Sequence, residues 1–190
     1  MHALFFEVRP HPGHLEHYFE HVARLRPVLA RHTGLAFLDR YSSLSEPDLL
    51  LSHQLWDSED AIIGWRADAV HRRSQSAGRQ IHFADYRIRV GARVLHWKSG
   101  SPHPLADEKA AQDVLHVLAV YGTLPLNAPG FRTFESVNHK DRFIALAAAD
   151  GRAAAEAALH AQIGAPGLGE AAVYSIRRDY GQFDRAQAPV

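Results

Sequence analysis

The sequence predicts an α+β fold made of two successive β-α-β-β-α-β units, the second without its first helix. Three observations predict it. Residues 1–98 switch between two-residue and 3.6-residue hydrophobic periods in that order, and a stretch at 99–112, SGSPHPLADEKAAQ, has the composition of a linker. Residues 113–190 then run through the same order in shortened form, with VYSIRR at 173–178 echoing DYRIRV at 85–90.

The first strand is Ala3 to Arg9, with Leu4, Phe6 and Val8 opposite Phe5 and Glu7 until Pro10, Pro12 and Gly13 break it. A helix follows from about His14 to His32, kinked or unwound near Pro27 and closed by Gly34. Strands Leu35 to Tyr41 and Leu49 to Trp56 form a hairpin, and Leu49, Leu51, His53 and Leu55 share one face. The next helix is capped by Asp57 or Ser58, carries Glu59 and Asp60 at its positive end, and buries Ile62, Ile63, Trp65, Ala67, Ala69 and Val70 until Gly78 ends it. The exit strand alternates Asp85, Arg87 and Arg89 with Tyr86, Ile88 and Val90, so polar side chains on its inner face need a reason. It continues as Ala92 to Lys98, long enough to cross from one unit to the other.

In the second unit the strands are Val114 to Tyr121, Phe131 to Asn138, Arg142 to Ala149 and Ala171 to Tyr180, with a helix at Arg152 to Ile163. Only GTLPLNAPG, 122–130, joins its first two strands, too short and proline-rich for a helix. Each unit has the order of a ferredoxin-like split unit.

Composition narrows the chemistry. The 190 residues contain no cysteine, which excludes disulfides, thiolate metal sites and thiol nucleophiles and fits a cytoplasmic protein. Lys plus Arg and Asp plus Glu are 21 each, so no nucleic-acid footprint is expected, and no apolar run suggests a membrane partner. Histidine stands out with 14. His14, His17 and His21 fall one turn apart, a spacing that could grip a metal. The same helix must bury Leu15, Tyr18, Phe19 and Val22, which turns most of these imidazoles to solvent, so no metal site is assigned.

The run WDSED at 56–60, Trp65 in the helix, His71 six residues later and FADYRIRV at 83–90 together resemble the antibiotic biosynthesis monooxygenase (ABM) superfamily over about residues 3–97. The resemblance implies dimeric α+β barrels of ferredoxin-like units. Here the second unit could close the barrel within the chain, giving a monomer with an internal pseudo-dimer, or a homodimer. It further implies oxidation of a hydroquinone or polyphenolic ring by O2 without a cofactor, in a pocket between helices and sheet. Trp65 would be a wall on which a quinol stacks, and His71 the base, since an imidazole of ordinary pKa near 6.5 takes a phenolic proton at neutral pH. Arg87 would stabilise the developing oxyanion, and His53, Tyr86 and Phe6 would contact substrate.

Each assignment has a plainer rival. Trp65 and Phe6 also suit core packing, His71 a rim position, and Arg87 an ion pair with Asp85 or Glu7. Ala61 stands where several of these enzymes carry an amide. Gln75 stands where the heme-degrading branch has its iron ligand, so heme is an alternative cofactor by a shifted geometry only. The second unit offers Tyr174, Arg177, His139 and His160 but no tryptophan, and is assigned a structural role. Two further functions remain: a non-catalytic ligand-binding or structural barrel, and a heme-binding or heme-degrading protein.

Overall fold

The computed structural model describes residues 1–106 and 114–189; of the expected linker, 107–112 lie outside the described residues. Strands β1 (His2–Pro10), β2 (Leu35–Ser43), β3 (Leu50–Trp56) and β4 (Phe83–Lys98) alternate with helices α1 (Leu15–Leu29), α2 (Glu59–Ala67) and α3 (Ala69–Ala77). After the two-residue β5 (Leu105–Ala106) come β6 (Leu115–Gly122), β7 (Arg132–Ser136), β8 (Phe143–Asp150), α4 (Arg152–Gln162) and β9 (Leu168–Gly181).

Eight strands close into an antiparallel barrel in the order β1-β3-β2-β7-β8-β6-β9-β4 and back to β1, while β5 extends the edge of β4. Within each half the order is that of a ferredoxin-like unit, and two seams join the halves. One is short, Tyr41↔Ser136 to Ser43↔Phe134. The other runs from Arg87↔Gly181 to Lys98↔Glu170, because β4 extends well beyond β1. This is the α+β barrel of two ferredoxin-like units, the second lacking its first helix, closed within one chain.

Alternation on the strands separates two layers. Phe5, Tyr41, Leu51, Phe134, Ile144 and Tyr174 fill the barrel interior. The inward polar residues of β1 and β4 have a partner there: buried Glu7 accepts from Arg89 and lies 2.6 Å from Arg132. Outside the barrel, α1, α2 and α3 cover β1, β3 and β4 through Val28, Leu29, Trp56, Ile62, Trp65 and Val90. On the other half, Ala155 and Leu159 of α4 pack directly on Leu118, Val120 and Val173.

The long helix expected between Ser58 and Gly78 is two helices. Asp68 leaves the helical region at ψ 131°, and its Oδ1 accepts from the Val70 and His71 N–H groups, which starts α3 afresh. Gly78 does not end the segment either, because a π-helical turn, Gly78–His82, follows it. A Cβ at Gly78 would lie 2.4 Å from the Phe83 ring, so the glycine is there for close packing rather than as a stop. No helix among the described residues is long and apolar enough to cross a membrane.

Candidate active site

Between the first-half helices and the sheet lies a cavity of about 730 Å³. On the second half a space of only about 20 Å³ lies beside Leu124, Leu126 and Pro166, and α4 packs on the sheet through Ala155 and Leu159. The floor of the large cavity is a row of side chains in register across five strands: Arg40 of β2, Ser52 of β3, Phe6 of β1, Ile88 of β4 and Tyr180 of β9. Trp65 and His71 form part of its roof.

The interruption of the helix at Asp68 sets the roof geometry. It folds α3 back so that the His71 ring lies 3.9 Å from the Trp65 ring at 14°, while His32 meets Trp65 edge-on at 5.1 Å. One face of the indole is therefore already covered, so a ring cannot stack there. Trp65 instead backs His71. The His71 Nδ1 is 2.9 Å from the Trp65 carbonyl oxygen, which assigns the proton to Nδ1 and leaves Nε2 as the acceptor; the Gln75 amide nitrogen lies nearer to Nδ1, at 3.1 Å, than to Nε2, at 3.4 Å. Burial pushes the imidazole down to about 4, with Arg66 and His32 adding to the shift and the Trp65 carbonyl and Asp68 opposing it. His71 is thus neutral at pH 7, an acceptor but a weak base.

Phe6 and Tyr86 also line the cavity, their rings 6.0 Å apart beside Phe83. His53 and Arg87 do not. His53 is fully buried in the barrel interior, stacked on Phe5 at 4.7 Å and bonded through Nε2 to the Tyr121 hydroxyl at 2.8 Å. Arg87, half-exposed on the same strand face as Arg89, forms a two-pronged pair with Asp179, 2.8 and 2.5 Å long, rather than with Asp85 or Glu7. Both sit one residue out of phase with the cavity face, next to residues that do reach it, Gln54 and Ile88.

Several lining residues have no counterpart in the expected set. Ser52, Gln54 and Arg40 stand on the helix-facing side of β2 and β3, and the two-residue spacing of Ser52 and Gln54 is a signal legible in the sequence. The Gln54 Oε1 accepts from the Trp56 indole N–H at 2.9 Å, which directs its amide group. The second half also enters the site. Arg66 donates to the Tyr180 hydroxyl and the Pro189 carbonyl, each at 2.8 Å, and Arg185 donates to the Tyr86 hydroxyl at 2.6 Å. The segment after β9 therefore runs along the cavity mouth, so the second half is more than scaffold.

The histidines of α1 meet His82 of the π turn. His14 and His82 bring their Nδ1 atoms to 3.1 Å, His21 bonds Ser74 Oγ at 3.1 Å, and His17 faces Glu20. Among the described residues, no group of three or more His, Asp or Glu is arranged to hold a metal ion.

Residues 1–77 match the family described as antibiotic biosynthesis monooxygenase. A protein named jasmonate monooxygenase ABM, from Pyricularia oryzae, is 40% identical over 91 residues, which is 48% of this chain and 42% of that protein, so the match spans less than half of the relative. Among solved structures, an aldoxime dehydratase aligns over 92% of this chain and 80% of its own at a TM-score of 0.54 and 7% identity, a likeness of fold alone. An anthrone oxidase-like protein aligns over 100% of this chain and 96% of its own, at a TM-score of 0.42 and 14% identity. Residues 1–77, which contribute Trp65, His71, Arg40 and Phe6 to the cavity, are thus the part of the chain that is similar to the antibiotic biosynthesis monooxygenase family.

Proposed function

We propose that the chain is a monooxygenase that oxidises an electron-rich ring, a hydroquinone or polyphenol, with O2 and without flavin, heme or metal. The carrying observation is the 730 Å³ cavity roofed by a neutral His71 that is held by Trp65 and has Nε2 as its acceptor. The family of the first 77 residues and the activity in the relative's name support oxygen insertion as the reaction class. In this reading the substrate supplies the electrons: one oxygen atom enters the product and the other leaves as water.

The depressed basicity of His71 shapes its role. Full transfer of a phenolic proton to a group near 4 is uphill by about six pH units, roughly 8 kcal/mol. Its Nε2 therefore accepts a hydrogen bond from the substrate hydroxyl and polarises it as the electron leaves, rather than holding the proton beforehand. Phe6, Phe83 and Tyr86 supply aromatic edges for the ring.

Oxygen uptake by metal-stripped protein on a panel of hydroquinones and dihydroxynaphthalenes tests the proposal. Wild type should exceed the uncatalysed rate, and His71→Ala should lose about a hundredfold. Rates equal to buffer on every substrate, or a Soret band on titration with hemin, would overturn it.

A further inference from the structure

The cavity floor ends in a cation, Arg40, that no carboxylate among the described residues neutralises. Arg40 donates to the hydroxyl of the buried Tyr18, and its Nε–H is buried with no acceptor among the described residues. No carboxylate among the described residues pairs with it. The neighbouring Asp39 carboxylate is engaged by Ser136 at 2.9 Å, Asn138 at 2.9 Å and Arg142 at 3.4 Å. The other carboxylate lining the cavity, Glu59, is bound by Arg178 at 2.8 Å and faces Arg177 at 3.7 Å. Against these two carboxylates stand seven lining arginines, including Arg26, Arg66 and Arg185 at the mouth, in a chain whose formal net charge is zero.

Arg40 as a whole is half-buried, and a guanidinium N–H withdrawn from water without an acceptor carries a cost. The cost is removed by a planar oxyanion, whose two oxygens fit the N–H fork. Ser52, only 3% exposed, lies opposite Arg40 in the floor, and Phe6 follows it in register, so a charged contact passes directly into an aromatic one.

We propose that Arg40, backed by Tyr18 and flanked by Ser52, anchors a carboxylate on the substrate, so that the ring oxidised in this cavity belongs to an amphipathic aromatic acid. The proposal rests on the reading of the cavity as the substrate site and narrows it to one substrate class. Arg40 is a specificity residue in this account, and His71 remains the group that meets the reacting hydroxyl.

The test compares two probes that differ only in the carboxylate, 1,4-dihydroxy-2-naphthoate and 1,4-dihydroxynaphthalene, titrated anaerobically by calorimetry into the full chain. Wild type should bind the naphthoate at least tenfold more tightly. Arg40→Gln should weaken the naphthoate by roughly 10- to 100-fold and leave the diol within about twofold, with Arg40→Lys between them. Unaltered circular dichroism and melting temperature verify that the variants fold. Equal affinity of wild type for both probes, no binding of the naphthoate, or parallel loss of both probes in Arg40→Gln would each overturn the proposal. Since no turnover is needed, selective binding without oxygen uptake would sink the oxidation reading and leave Arg40 standing; uptake without selectivity would do the reverse.

Discussion

His71 and His53 are both neutral at pH 7 but for different reasons of place, one under Trp65 at the cavity roof and one stacked on Phe5 inside the barrel. Burial lowers them to about 4 and about 3. An unfolded imidazole takes its proton near 6.5, before either folded one does, so the unfolded state binds more protons below that pH. Stability should fall as pH drops below about 6.5, by at most about 1.4 kcal/mol per unit for each group, and level off only near 4 and 3. Urea midpoints at pH 7.5 and 5.0 measure this, and His53→Gln should roughly halve the slope. For catalysis the same lowering predicts that the acid limb of kcat/KM lies near pH 4 rather than 6.5. Trp65→Phe, which uncovers His71, should move that limb upward. Glu7 carries a different risk: burial raises its carboxyl, yet Arg132 and Arg89 outweigh it and hold the group below its ordinary value. Glu7→Gln would strand Arg89, 2% exposed, and should cost about 3–5 kcal/mol in thermal or chemical unfolding.

At the scale of elements, strand alternation in the sequence separates two faces but not their destinations. Leu51, His53 and Leu55 share a face as expected, but only the pairing of eight strands decides that this face lines the barrel. Trp65, Phe6 and Tyr86 line one cavity through the buried face of α2 and the alternation of β1 and β4, both legible in the sequence, whereas His71 reaches it through the turn at Asp68. Arg87 misses the cavity because it stands on the strand face opposite Tyr86 and Ile88, as alternation already shows; what no local pattern encodes is its partner Asp179, 92 positions away across a seam. The break at Asp68 did have a signal, an Asp before a new apolar turn, which counting one continuous period across it conceals. Asp68→Ala should cost about 1 kcal/mol through lost capping of α3 and should loosen the His71 stack. Gly78→Ala should cost about 1–3 kcal/mol and displace Phe83 from the cavity wall, visible as a lower melting temperature and weaker ligand binding.

For the whole molecule, the decisive pairing is the long seam of β4 with β9, which gives the first half a partner for its inner face within the same chain. Residues 1–98 alone would expose Phe5, Tyr41 and Leu51, and sedimentation should find them self-associated rather than monomeric. Ending the chain after Gly181 should leave the barrel intact but remove Arg185 and Pro189 from the mouth, so ligand dissociation should speed up severalfold.

The two halves are unequal, with about 730 Å³ under the helices of the first and about 20 Å³ beside the loops of the second, so the expected stoichiometry is one ligand per barrel. A barrel assembled from two copies of one unit must repeat every residue of its site, so a change that suits one cavity is imposed on its twin. A barrel written as one chain escapes that symmetry. Its saturation curve should be a simple hyperbola with one ligand per barrel, and its halves are free to evolve apart.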